Sequence, residues 1–380
     1  NFSAIMRRMH DEVNNDSANI QKSLKNSSDI DYYEDTGEFI DRFTLKVGEQ
    51  ILRAKQIYIA AGTRPFVPPI KGLDSVDYLN NETLLQLEKA PQSLIIIGGS
   101  YIGAELAHFF EAMGTKVTVL EMESRLLPGE EPEISSVVER ALKSRMTVLT
   151  GVEAEEVKSA LDGGVMVSCR DLISGDIQEI KAEKLLLATG RQSNADLLKV
   201  KKSDIAVDDN GFIQVDEYLE TNIKGIYAVG DINGRELFTH TAHAEAAVAG
   251  ANGVHGQRGK MDYTAAPHAV FTHPQIASVG LSEADAGKKY KIKVGKAYYS
   301  DTALGIAMMD QEGFAKIILE QGTEQILGAH IVGPWASVLI QEIINAMADG
   351  GGFNTIAKGL HIHPALSELV QRAIFNTVKG

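Results

Sequence analysis

The stretch from Ser93 to Glu121, SLIIIGGSYIGAELAHFFEAMGTKVTVLE, constrains the fold more than any other part of the chain. Ser93 to Ile97 holds four consecutive large apolar residues and stops at two glycines. A strand that apolar is covered on both faces, which is the habit of a parallel sheet flanked by helices. Tyr101 to Met113 continues as a helix and Lys116 to Glu121 as a second strand, so the segment reads as a βαβ unit in an α/β fold.

The turn of this unit is itself informative. Gly98, Gly99, Ser100, Tyr101, Ile102 and Gly103 follow the spacing G-x-G-x-x-G, with Ser100 where the second glycine normally lets a pyrophosphate approach the backbone. The loop follows a strand and opens a helix, whose N-terminal amides and dipole suit a phosphate. Glu121 closes the next strand 23 residues after Gly98, near the distance expected of an acid that binds a ribose diol. A carboxylate there repels a 2'-phosphate, so the predicted dinucleotide is NAD. A structural glycine turn beside an exposed glutamate is the alternative.

Two strand ends resemble each other, QIYIAAGTRP at Gln56 to Pro65 and EKLLLATGRQ at Glu183 to Gln192. They bracket the βαβ unit as though the chain left one domain and returned to it. Past the second come GIYAVGDI, a helix from about Thr241 to Gly253, and a region from Tyr263 that mixes strands (EGFAKIILE, QILGAHIVG) with helices, as an α+β domain would. The first ~30 residues read as a polar helix.

Composition narrows the partners. A formal net charge of -14 repels phosphate backbones and anionic membranes, so neither nucleic acid nor a membrane is expected. No apolar run approaches the roughly 20 residues of a spanning helix, and the polar start has no signal-peptide core, which makes the cytoplasm the default. The chain has one cysteine, Cys169, placed in the alternating strand GVMVSCRD and read as a half-buried structural thiol. No metal ligand set is expected. Arg125 and the run Glu130 to Glu133 read as solvated surface.

Near the end stands HIHPALSE, His361 to Glu368. Pro364 suits the first turn of a last helix, with His363 at its cap and Glu368 in its second turn. A carboxylate there can hold one imidazole nitrogen and leave the other for proton transfer. His361 reads as structural. Without further context the motif is equally a capped helix with a surface ion pair.

Taken together, the dinucleotide loop, GTRP and ATGR at the crossings, GIYAVGDI and HIHPALSE occur in an order that resembles the pyridine nucleotide-disulfide oxidoreductases. The resemblance covers essentially the whole chain, and VLEMESRLLPG with the doubled histidine is most similar to the dihydrolipoamide dehydrogenase branch. It implies an FAD domain (residues 1–82 and 195–262) interrupted by a Rossmann-like NAD domain (83–194) and followed by an α+β dimerisation domain (263–380). It implies that Gly190, Gly230 and Asp231 contact FAD, with Asp231 on the ribitol, and that the helix begun near Thr241 and His243 faces the flavin. Glu105 matches a glutamate placed near flavin and nicotinamide.

The same resemblance implies that His363, supported by Glu368, takes a proton from a dithiol substrate, a small molecule or a lipoyl domain, at the disulfide of the partner in a homodimer. Electrons would pass through FAD to NAD. Family members also carry an FAD-binding βαβ unit and a redox cysteine pair ahead of the residues matched here. The chain is therefore expected to be an N-terminally truncated part of such an enzyme, inactive as given. Mercuric ion reductase would show a C-terminal cysteine pair, absent from FNTVKG, and glutathione reductase would show basic residues where Glu121 stands. A non-catalytic NAD-binding subunit is the alternative from another class.

Overall fold

The computed structural model describes residues 1–161 and 163–378, which form two compact units. One unit comprises residues 1–66, 86–88 and 190–261, and the other residues 67–85, 89–189 and 262–380.

The βαβ unit lies in the second of these. Strands Ser93–Ile97, Lys116–Glu121 and Thr147–Thr150 pair in parallel in that order, and Lys184–Leu187 joins on the far side of Ser93–Ile97. The helix Tyr101–Ala112 buries Gly103, Ala104, Ala107 and Phe110, the small residues allowing close approach to the sheet. A three-stranded antiparallel sheet, Val152–Ser159, Val165–Asp171 and Ile177–Ala182, shares a core with the parallel strands through Ile95, Ile97, Leu120, Val157, Val167 and Leu185. Cys169 belongs to that core and is fully buried, not half-buried, because its strand is covered by the parallel sheet.

Residues 267–333 supply a second sheet of the same unit. Its five antiparallel strands run, in spatial order, Pro267–Val270, Gln275–Gly280, Ile326–Gly333, Phe314–Glu320 and Ile292–Tyr298. Ala277, Val279, Ala329, Ile331, Ala315 and Ile317 form a core with residues of the helices Ala336–Ala348 and Glu368–Asn376. Strand alternation then sends the intervening residues to the opposite face. In register across that face stand His268, Ser278, His330, Lys316 and Lys296.

The first unit begins with the helix Phe2–Asn26, which buries only Phe2 and Met6, in accord with its polar sequence. Ile57–Ile59 pairs in parallel with Ile226–Ala228, and Thr63–Pro65 pairs antiparallel with Arg191–Ser193. The two crossings thus lie side by side, and the Gly190 carbonyl accepts the Phe66 N–H at 3.0 Å. The helix after GIYAVGDI spans Thr239–His255, two residues longer at each end than its sequence pattern indicates.

Burial also pushes the Cys169 thiol up, so the thiolate needed for alkylation is scarce as well as inaccessible. Cys169 should resist iodoacetamide in the native protein and label fully in denaturant, as read by peptide mass spectrometry. Complete native labelling would contradict this packing.

Candidate functional site

The glycine loop leaves Ile97 and turns sharply into the helix. Gly98 has φ +106°, and a Cβ there would lie 2.3 Å from the Ala188 carbonyl oxygen. At Gly103 a Cβ would meet the Gly98 carbonyl oxygen at 1.9 Å, so no other residue fits either position. Ser100 stands at the helix N-cap without a side-chain hydrogen bond, which leaves the first-turn amides to an oxyanion. Tyr101 and Ile102 open the helix, half-buried. This donor set fits the pyrophosphate of a dinucleotide.

Glu121 ends the adjacent strand and is more engaged than its sequence position suggests. Its carboxylate is buried, accepts the Gly99 N–H and accepts the Glu123 N–H at 2.7 Å. It therefore shapes the loop itself. Glu105, one turn into the helix, is half-buried and accepts the Phe271 N–H at 2.7 Å. Burial raises its pKa, and the Phe271 hydrogen bond opposes this only in part.

In the other unit, Gly190, Gly230, Asp231, Thr241 and His243 surround a different arrangement. Gly230 donates its N–H to the buried Glu245 at 2.6 Å, and Glu245 also accepts from Asn233 Nδ2 at 2.8 Å. Asp231 accepts from Thr63 Oγ1 at 2.9 Å, with Arg191 Nε 3.7 Å from the same carboxylate oxygen. Arg191 Nε in turn donates to Thr63 Oγ1 at 2.6 Å. Thr241 is buried while His243 is exposed. Thr63 and Arg191 were not singled out from sequence, although they belong to GTRP and ATGR; the signal was present in the motifs used to mark the crossings.

At the chain's end the HIHPALSE reading is corrected in one respect. The last helix begins at Glu368, with Ser367 at its N-cap, so Pro364 lies in the preceding turns and Glu368 is the first helical residue. The carboxylate folds back over those turns instead, accepting from His363 Nδ1 at 3.0 Å and from the Ala365 N–H at 3.2 Å. These two bonds hold its pKa down. His363 is 69% exposed and Glu368 only 12%. His361, two residues earlier, is 5% exposed and bonded through Nε2 to Glu342 at 3.0 Å. Its ring is committed, as a structural histidine's would be.

The acidic run is also corrected. Glu130 and Glu131 are buried, not solvated, because they face the polar row of the five-stranded sheet. Glu130 meets His268 Nε2 at 2.6 Å and Ser278 Oγ at 2.8 Å. Lys316 Nζ lies 3.0 Å from Glu131 and 2.9 Å from Glu133 and also contacts Glu283. Burial alone would favour a neutral amine at Lys316, but hydrogen bonds to Glu283, Glu133 and Glu131 outweigh it and raise the pKa. The three carboxylates that converge most closely thus enclose an ammonium group. Arg125 donates to the Pro128 carbonyl at 2.7 Å.

A glycine loop between strand and helix, a histidine–glutamate pair and an α+β region on one chain are features that a nucleotide-dependent oxidoreductase would carry. Residues 2–248 match the family described as pyridine nucleotide-disulphide oxidoreductase and residues 266–374 match its dimerisation domain, and the chain belongs to that family. It is 34% identical over 360 residues to dihydrolipoyl dehydrogenase 2 of Haloarcula marismortui, covering 93% of this chain and 76% of that one. It is 38% identical over 328 residues to mycothione reductase of Mycobacterium tuberculosis, covering 84% and 70% respectively. The structure is similar to that of the HOCl-induced flavoprotein disulfide reductase RclA from Escherichia coli, with TM-score 0.88 and 26% identity over 99% of this chain and 86% of that one. The family's enzymes use FAD and a pyridine nucleotide. Among the described residues no helix is long and apolar enough to cross a membrane.

Glu105 yields a prediction with a definite sign. Its folded pKa lies above the ordinary value, so ionising it penalises the folded state as pH rises from about 4.5 through the raised value. Glu105→Gln keeps an acceptor for Phe271 and removes the penalty. In urea titrations the variant should match the parent at low pH and exceed it at neutral pH; a less stable variant at pH ~7 would refute the assignment.

Proposed function

We propose that this chain supplies the nucleotide-binding, base-bearing and dimer-forming parts of a homodimeric flavoprotein that oxidises dihydrolipoamide, free or on a lipoyl domain, with NAD. The His363–Glu368 pair carries the reading. A carboxylate can only accept, so Nδ1 bears the hydrogen and Nε2 presents its lone pair, on a ring 69% exposed to an incoming substrate.

A free thiol, with a pKa near ~8.5, is mostly protonated at neutral pH. His363 Nε2 takes that proton, and Glu368 steadies the imidazolium that results. The substrate thiolate attacks one sulfur of the family's cysteine disulfide, forming a mixed disulfide and releasing the other cysteine as thiolate. The second substrate thiol then displaces the bound cysteine, closing the oxidised ring and leaving the cysteine pair reduced. FAD and NAD supply the two-electron carriage that restores the disulfide. Gly98 to Gly103 would hold the pyridine nucleotide and Glu121 would favour NAD over NADP; Asp231, ordered by Thr63 and Arg191, would hold a hydroxyl of FAD. The buried Cys169 takes no part.

A second reading, reduction of a low-molecular-weight disulfide, is favoured by the 38% identity to mycothione reductase. It uses the same pair in the opposite direction, with imidazolium as proton donor. Initial rates with dihydrolipoamide and with mycothione, measured side by side, separate the two.

In the native FAD-containing enzyme, His363→Gln should lower lipoamide turnover by roughly 10²- to 10⁴-fold and spare NADH oxidation by an artificial acceptor. Undiminished lipoamide turnover would overturn the assignment.

A further inference from the structure

Glu130, Ser278 and His330 are each at least nine-tenths buried and form a continuous hydrogen-bonded chain that the proposed reaction does not use. Ser278 Oγ lies 2.8 Å from Glu130 Oε2 and 3.0 Å from His330 Nδ1. His330 Nε2 lies 3.1 Å from the Leu281 carbonyl oxygen, and His268 Nε2 lies 2.6 Å from Glu130 Oε1. Burial pushes His330 toward neutral imidazole, and Glu130 is held as a carboxylate against burial chiefly by His268. Together those two states leave one buried acceptor without a hydrogen.

The reason is a count of hydrogens. A carbonyl oxygen only accepts, so His330 Nε2 must carry a hydrogen toward Leu281. If the imidazole is neutral, Nδ1 is then an acceptor and needs the Ser278 hydroxyl hydrogen. An ionised Glu130 needs the same hydrogen at Oε2. Ser278 has one to give. An unmet acceptor this deeply buried is destabilising, and the chain closes without loss in two ways that contain the same extra proton. Either His330 is imidazolium, donating to Ser278, which donates to Glu130; or Glu130 is a carboxylic acid, donating to Ser278, which donates to His330.

We infer that Glu130, Ser278 and His330 form a proton-binding site that holds one proton between them, and that this proton locks the acidic run onto the five-stranded sheet. The surrounding charge supports it. Among the described residues the fixed cations against the run are Lys316, Lys296 and Arg125, whereas four carboxylates converge, Glu130, Glu131, Glu133 and Glu283. His330 Nε2 is also 3.8 Å from Glu131. The remaining polar neighbours are His268 and the Tyr101 hydroxyl 3.5 Å from His268 Nε2, while Arg125 donates to the Glu130 carbonyl. An added proton reduces the excess of negative charge; its loss leaves a buried carboxylate and an imidazole lone pair competing for one hydroxyl.

The sign of the pH effect follows. Well above the ordinary imidazole pKa of about 6.5, an unfolded chain holds almost no proton on either group. The folded protein still does, so folding binds one proton and stability falls as pH rises, by about tenfold in the folding equilibrium per pH unit until the site deprotonates. Glu130→Gln reproduces the protonated acid: its amide donates to Ser278, its carbonyl accepts from His268, and His330 is satisfied while neutral.

The test compares parent and Glu130→Gln as the FAD-loaded native enzyme in denaturant titrations across neutral to alkaline pH. The proposal expects similar stability near neutrality and loss of the alkaline decline in the variant. An alkaline decline of equal slope in both overturns it. Should the variant not fold, neutron diffraction of the parent at about pH 8 decides, a pH at which free imidazole and carboxyl groups are both deprotonated. Hydrogens on both ring nitrogens of His330, or one on Glu130 Oε2, support the site; a bare Nδ1 beside a bare carboxylate overturns it.

Discussion

The pairing of an acidic run with a polar row underlies the second unit. Glu130, Glu131 and Glu133 lie along His268, Ser278, His330, Lys316 and Lys296, joining the segment that follows the Lys116–Glu121 strand to the five-stranded sheet. Lys316 and Glu131 are each 4% exposed, so neither charge is solvated. Removing Lys316 would cost about 3–5 kcal/mol, because Glu131 stays buried without its cation, whereas Lys316 without Glu131 keeps Glu133 and Glu283. The contact matters for position: it ties the sheet that carries the glycine loop to the sheet whose helices carry Glu368.

Local pattern made the glycine-loop unit legible. Four consecutive apolar residues, a glycine turn and a helical repeat lie within 29 positions, and each constrains the next without help from the rest of the chain. The strand, helix and second strand accordingly start at Ser93, Tyr101 and Lys116. The acidic run was opaque for the opposite reason. Its side-chain hydrogen-bond partners on the sheet are 138 to 185 residues away, and a cluster of glutamates is ordinarily a solvated face. Only strand register lines up His268, Ser278, His330 and Lys316 into one surface that can receive it.

The histidines of HIHPALSE show the same limit at short range. His361 and His363 flank the same residue, Ile362, yet one ring is enclosed beside Glu342 and the other open beside Glu368. The spacing to Glu368 was legible, but the route was not. A helix begun at Pro364 would have brought the carboxylate up along a helical face; a helix begun at Glu368 brings it back over a turn, where the Ala365 N–H also holds it. The carboxylate is the better anchored of the two, which suits a group that orients an exposed imidazole.

The polar row also explains how the five-stranded sheet keeps its register. Ala315 and Ile317 sit in the core on either side of Lys316, as Ala329 and Ile331 do for His330 and Ala277 and Val279 for Ser278. A slip of one residue on any of these strands would drive a lysine, a histidine or a serine into the helical core and turn its apolar neighbours toward the glutamates. Hydrophobic burial against the two helices opposes that slip, but a slip of two residues keeps the same face inward and is opposed less. The glutamates oppose it, since only one register presents a proton donor or a cation opposite each carboxylate. Polar contacts thus specify an arrangement that apolar contacts stabilise.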